Sequence, residues 1–206
     1  MFTLQNLEYR INGTSILPGQ SLNVAEGQHL LLHGRSGCGK TTLMNLMSGL
    51  SRATSGEISF KGQQYDTLSD ARLDSLRAQN FGFVFQRLHL IGHLSVRQNI
   101  ALAQTKPNAA RVDELIADLG LSDKSEQKAQ SLSVGEAQRV AIARAVANNP
   151  SVIFADEPTS ALDDQNTERV MELLFTQADK TQATVVAATH DARIKARFNT
   201  VLEMTA

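Results

Sequence analysis

The sequence predicts an α/β fold with a mostly parallel sheet, and three observations carry that expectation. Short apolar runs alternate with helical patterns after residue 150. An earlier apolar run, QHLLLH at 28–33, leads straight into a glycine-rich stretch and then a helical one, the order in which a crossover unit begins. The middle of the chain is helical in pattern rather than strand-like. Residues 1–86 and 150–206 therefore read as one α/β core, and 87–149 as a helical subdomain inserted into it, within a single domain.

Taken in order, Phe2–Tyr9 reads as a strand, and Asn12-Gly13 is a strong turn signal after it. The N-terminal third as a whole reads as short strands, an antiparallel part added to the core. Leu43, Met44 and Met47 mark a short helix closed by Gly49. A further short helix is expected around Ser95–Ala103. Val112, Leu115, Ile116 and Leu119 recur at helical spacing, with Gly120 behind them. Ala137–Ala147 forms the next helix, stopped by Asn148-Asn149-Pro150. Strand Val152–Ala155, a helix near Thr167–Phe175, strand Thr184–Ala188 and strand Val201–Met204 complete the pattern.

A length of 206 residues suits one domain with a well-buried core. Twenty Lys and Arg against 21 Asp and Glu give a net charge of −1, which argues against nucleic acid as a partner. Cys38 is the one cysteine, so neither a disulfide framework nor a multi-cysteine zinc site can form. No apolar run approaches the roughly 18–20 residues that cross a bilayer. MFTLQNLEYR lacks the basic start and apolar run of a signal peptide. A cytoplasmic protein is expected. His29, His33, His89 and His93 form no metal-ligand pattern and read as core or surface residues.

Residues Gly34 to Thr41, GRSGCGKT, match the phosphate-loop pattern G-x-x-x-x-G-K-[ST]. Glycines let backbone N–H groups turn inward around phosphate oxygens, and the helix that follows offers its positive end. Lys40 is placed to reach the outer phosphates and the Thr41 hydroxyl to ligate Mg²⁺. Gly34, Arg35, Ser36, Gly37, Cys38, Gly39, Lys40, Thr41 and the adjoining Thr42 are the expected nucleotide-binding residues. Cys38 is expected to line the phosphate site, open to alkylation until nucleotide covers it. In VIFADEP, Asp156 and Glu157 emerge from the C-terminal end of a buried strand, where ligands of open α/β sheets bind. Asp156 suits the Mg²⁺ shell, and Glu157, one step on, suits polarising an attacking water.

Residues Leu132 to Arg139, LSVGEAQR, resemble the signature sequence of the ABC ATPase family, and the family's other motifs follow in register. Gln86, after FGFVF, falls at the Q-loop position. Ser160 to Asp163, SALD, match the D-loop, and His190, after TVVAAT, the switch histidine. The resemblance covers essentially the whole chain. It implies a phosphate-loop NTPase core sheet of RecA type, ATP and Mg²⁺ as ligands, and two copies sandwiching two ATP head to tail. It also implies that Ser133, Val134, Gly135 and Glu136 act on the partner's ATP, with Asp163 in the D-loop. Glu157, His190, Lys40 and Gln86 would be the catalytic set, and Thr41, Gln86 and Asp156 the metal set. Ser133 and Glu136 also form the S-x-x-E pattern of a capping box. For the adenine ring, Tyr9 and Ile11 are both candidates.

The segment from Leu68 to Ala101 resembles the ATPases of lipoprotein-releasing, macrolide-exporting and cell-division complexes. That implies a separate transmembrane permease subunit, with the chain on the inner face of the cytoplasmic membrane and touching it only through the permease. Two other readings stand beside this one: a slow ATPase serving as an ATP-dependent adaptor, and an ABC protein acting on DNA or ribosomes. The absence of tandem domains, long coiled coils and zinc modules disfavours the second.

Overall fold

The computed structural model describes residues 1–160 and 162–205. In chain order its elements are β1 (Phe2–Ile11), β2 (Thr14–Val24), β3 (Leu30–His33), α1 (Lys40–Met47), β4 (Ser55–Phe60), β5 (Gln63–Gln64), α2 (Asp70–Asn80), β6 (Phe81–Val84), α3 (Val96–Ala101), α4 (Ala109–Asp118), α5 (Val134–Val146), β7 (Val152–Asp156), α6 (Asp164–Thr181), β8 (Thr184–Thr189) and β9 (Thr200–Glu203). The chain divides into two compact units, residues 1–77 with 184–206, and residues 78–183.

The first unit holds an antiparallel sheet in the order β2-β1-β4-β5. Asn12 (φ 50°) and Gly13 (φ 81°) both adopt the left-handed conformation that a two-residue hairpin turn demands, and Ile11 pairs with Thr14 across it. At ten and eleven residues, β1 and β2 are longer than the short strands the sequence suggested; register shifts between Leu4 and Arg10 bend the ladder. Phe2, Leu4, Ile58 and Phe60 fill the buried face, with the Phe2 and Phe60 rings 4.9 Å apart. Beside this sheet, β3 runs parallel to β8 on one side and β9 on the other. Leu30, Leu31 and Leu32 are fully buried, as a central parallel strand requires. The Arg52 guanidinium ties the loop before α2 by donating to the carbonyls of Tyr65 and Leu68 and to Asp70.

In the second unit β6 and β7 pair in parallel, Phe81 with Val152 and Val84 with Ala155. A Cβ at Gly82 would lie 2.0 Å from the Ala145 carbonyl oxygen, so glycine is what lets α5 lie against β6. Phe154 packs edge-on to Phe81 and stacks on Phe83. Val112, Leu115 and Ile116 turn the apolar stripe of α4 inward, and Asn108 caps its start through the Arg111 N–H. Among the described residues, 87–149 contain α3, α4 and α5 but no strand.

Candidate functional site

The turn between β3 and α1 is where the sequence places the phosphate site. Gly37 and Gly39 have φ values of 87° and 93°, a conformation that glycine adopts without steric cost. A Cβ at Gly39 would also crowd Leu17 and the Ile16 carbonyl. Because the N-cap of α1 is itself Gly39, no side chain caps that helix start. Lys40 is buried to 6% exposure, and its Nζ donates to the Gly34 carbonyl at 2.8 Å and the Arg35 carbonyl at 3.1 Å. The loop is thus curled around the ammonium group. Arg35, Ser36, Gly37 and Thr41 are exposed, and Thr42 is half-buried.

Cys38 differs from expectation. Its side chain is buried, and its Sγ would be 2.8 Å from a Cβ at Gly34, so the thiol packs beneath the loop.

A cleft of about 740 Å³ opens beside the loop, lined by Gly34, Arg35, Ser36, His190 and the end of β9. His190 follows β8 directly and is exposed, so β3 and β8, paired in register, present the loop and the histidine at the same sheet edge. The Met204 N–H donates to the His33 carbonyl at 2.7 Å. A Cβ at Gly34 would lie 2.3 Å from the Met204 carbonyl oxygen, so this glycine lets the end of β9 rest on the loop. Glu203 accepts from Lys195 at 2.7 Å and bonds the His33 ring at 2.8 Å; the Lys195 bond, then His33, hold its carboxyl below the ordinary range.

In the second unit, parallel pairing brings the ends of β6 and β7 to one edge. β6 stops at Val84 rather than running to Gln86, which lies exposed two residues beyond. Asp156 ends β7, half-buried, and Glu157 follows at φ 46°. A left-handed backbone at a non-glycine costs of the order of 1 kcal/mol and turns the chain sharply behind the strand.

Ser133 is the N-cap of α5 and forms the capping box with Glu136 that the sequence indicates. Ser133, Val134 and Gly135 are exposed, Val134 to 69%. Hydrogen bonds from the Ser133 backbone N–H and then its hydroxyl hold the Glu136 carboxyl below the ordinary range. Asp163 caps α6, accepting from the Asn166 N–H at 2.8 Å. Ala161, inside the D-loop stretch, lies outside the described residues. In the first unit Tyr9 is half-buried on β1 and Ile11 is exposed.

Two residues that organise the segment after Gln86 were not evident from the sequence. Arg144 donates from both terminal nitrogens, to the carbonyls of Leu88 (2.5 Å) and His89 (2.7 Å). Buried Asn99 donates to Ile91 and Ser95 and accepts from the Ile91 N–H. Leu88, Leu90, Ile91 and Leu94 are left half-buried.

The left-handed glycines, the helix start without a side-chain cap and the buried lysine fit a nucleotide polyphosphate. Among the described residues no three His, Cys, Asp or Glu side chains cluster to hold a metal. A Mg²⁺ ion held mainly by phosphate oxygens and water needs no such cluster.

Comparison with known proteins agrees. The family model described as ABC transporter matches residues 17–160. The macrolide export ATP-binding/permease protein MacB of Shigella flexneri is 43% identical over 195 residues, covering 92% of this chain and 30% of that protein. Its counterpart in Mannheimia succiniciproducens is 39% identical over 199 residues, covering 94% and 31%. The chain thus spans about 30% of the length of these curated relatives. Among solved structures, the dimeric ATP-binding cassette MJ0796 bound to ADP and Pi superposes with a TM-score of 0.87 at 32% identity, covering 100% of this chain and 94% of that one. CbiO1 of Clostridium perfringens, part of the transporter complex cbiONQ, gives 0.90 at 29%, covering 99% and 84%.

Proposed function

Because the chain belongs to the ABC transporter family, we propose that it hydrolyses ATP between two head-to-tail copies and so drives a membrane permease of the export type. The observation that carries this reading is the phosphate loop curled around Lys40, with His190 lining the same cleft. Among the described residues no helix is long and apolar enough to cross a membrane, and we assign the membrane contact to the permease. The chain then acts on the face of the membrane where ATP is supplied.

In the proposed reaction, water attacks the γ-phosphorus in line as the bond to the β–γ bridging oxygen breaks and ADP leaves. Glu157 orients that water and accepts its proton, a role worth about 10²–10⁴-fold. Lys40 and His190 hold the phosphate oxygens where negative charge develops. From the other copy, the Ser133 hydroxyl and the Gly135 N–H, at the exposed head of α5, bind the γ-phosphate. We assign Asp163 to the same assembly surface, and Tyr9 or Ile11 to contact with adenine. Thr41, Gln86 and Asp156 are the residues that would hold Mg²⁺, which when bound supplies positive charge to the phosphates. Purified chain is expected to release phosphate from ATP, to stop when Mg²⁺ is chelated, and to resume when it is restored. ATP turnover unaffected by chelation would remove the metal from the scheme.

For the permease contact we assign the segment after Gln86. Arg144 and Asn99 fix its backbone while four apolar side chains stay only half-covered. Changing Leu90 and Leu94 together to serine is expected to keep ATP hydrolysis and to lose co-sedimentation with membranes. Loss of helicity instead would place these side chains in the folding core.

A further inference from the structure

We propose that Glu136 is a resident competitor at the head of α5: it holds the Ser133 hydroxyl until a phosphate takes it, and so sets how much ATP the two copies need to close. This rests on the reading of Ser133 and Gly135 as ligands of the partner's γ-phosphate.

The geometry is explicit. Glu136 Oε2 accepts from the Ser133 backbone N–H at 2.8 Å and from the Ser133 Oγ–H at 2.9 Å. Ser133 Oγ in turn accepts from the Glu136 N–H at 3.3 Å. A serine hydroxyl has one proton to give, and here it is given to the carboxylate. While that bond stands, Ser133 has nothing to donate to a phosphate. A hydroxyl bonded to an ionised acceptor is also held more strongly than one bonded to a neutral group.

Charge points the same way. The start of a helix carries the equivalent of about half a positive charge, and α5 has 13 residues. Glu136 already takes that field. Its Ser133 bonds, with Lys124 and Arg139 as further cations, favour the ionised form. An arriving γ-phosphate must therefore draw the hydroxyl proton away from one anion and settle beside it.

Helix capping alone does not call for that charge. At the start of α3 the same box is built with a neutral amide: Gln98 Oε1 accepts from the Ser95 N–H at 2.9 Å, and the Gln98 N–H donates to Ser95 Oγ at 3.2 Å. Glutamine at 136 can thus keep the cap while removing the competing anion.

The test uses the whole chain with Glu157→Gln, whose closed form should persist, and sedimentation velocity across a range of MgATP. Adding Glu136→Gln is expected to lower the ATP concentration for half-maximal self-association by about tenfold. It should produce no self-association with ADP, which lacks the γ-phosphate. A midpoint that stays put or rises overturns the proposal, as does an equal gain with ADP, which would mark a general surface-charge effect. Ser133→Ala in the same background is expected to abolish ATP-driven association. If it associates like its parent, the reading of the α5 head as a phosphate ligand is what fails. Circular dichroism on each variant confirms that α5 stays folded.

Discussion

Glu157→Gln is expected to keep ATP binding while hydrolysis falls by about 10²–10⁴-fold, the share a positioned general base contributes. The amide has the shape of the carboxylate but cannot accept a proton from water. Glu157 sits on a left-handed turn directly beyond the end of β7, and glutamine matches its size. Substitution should therefore leave the local fold intact. Arrested before hydrolysis, the variant should accumulate as a dimer in ATP, visible by sizing chromatography. Turnover at the parent rate would remove Glu157 from the reaction.

Lys40→Ala is expected to act one step earlier, on binding. Its ammonium group is buried and hydrogen-bonded to two carbonyls of the loop it would share with phosphate. Losing a charged hydrogen-bond donor to the phosphates costs about 1.5–3 kcal/mol, or roughly 10- to 150-fold in affinity. The loop also loses the donor around which it curls, so the remaining N–H groups should be less well placed. Calorimetric titration with a non-hydrolysed ATP analogue reads the effect directly. Unchanged affinity would mean that the loop does not bind the outer phosphates.

The residues that answer to local rules were legible in the sequence. Gly34 to Thr41 could be read because phosphate chemistry fixes both residue type and spacing, and Ser133 with Glu136 because a capping box spans only four positions. β3, β7 and β8 could be read because buried parallel strands are apolar on both faces. What escaped depends on distant partners. Arg144 meets Leu88 and His89 more than fifty residues away, and nothing in its own neighbourhood signals that contact. The inward turn of Cys38 follows from the closeness of Gly34, a matter of loop geometry rather than of residue type. α2 was not anticipated because Leu73 and Leu76 are its only buried side chains, too few to trace a stripe. At 203 and 33, the Glu–His bond joins two strands that are neighbours only in the sheet.

Arg144 lies in the last turn of α5, and Ser133 caps the first. One end of this helix grips the backbone just after Gln86, and the other presents the hydroxyl assigned to the partner's nucleotide. Thirteen residues make a rod about 20 Å long. Such a rod resists compression far better than a loop does, because beyond its first turn each residue is braced by a hydrogen bond to the preceding turn. In the proposed assembly, a push on the Leu88–His89 backbone therefore bears on the far end of the helix that begins at Ser133.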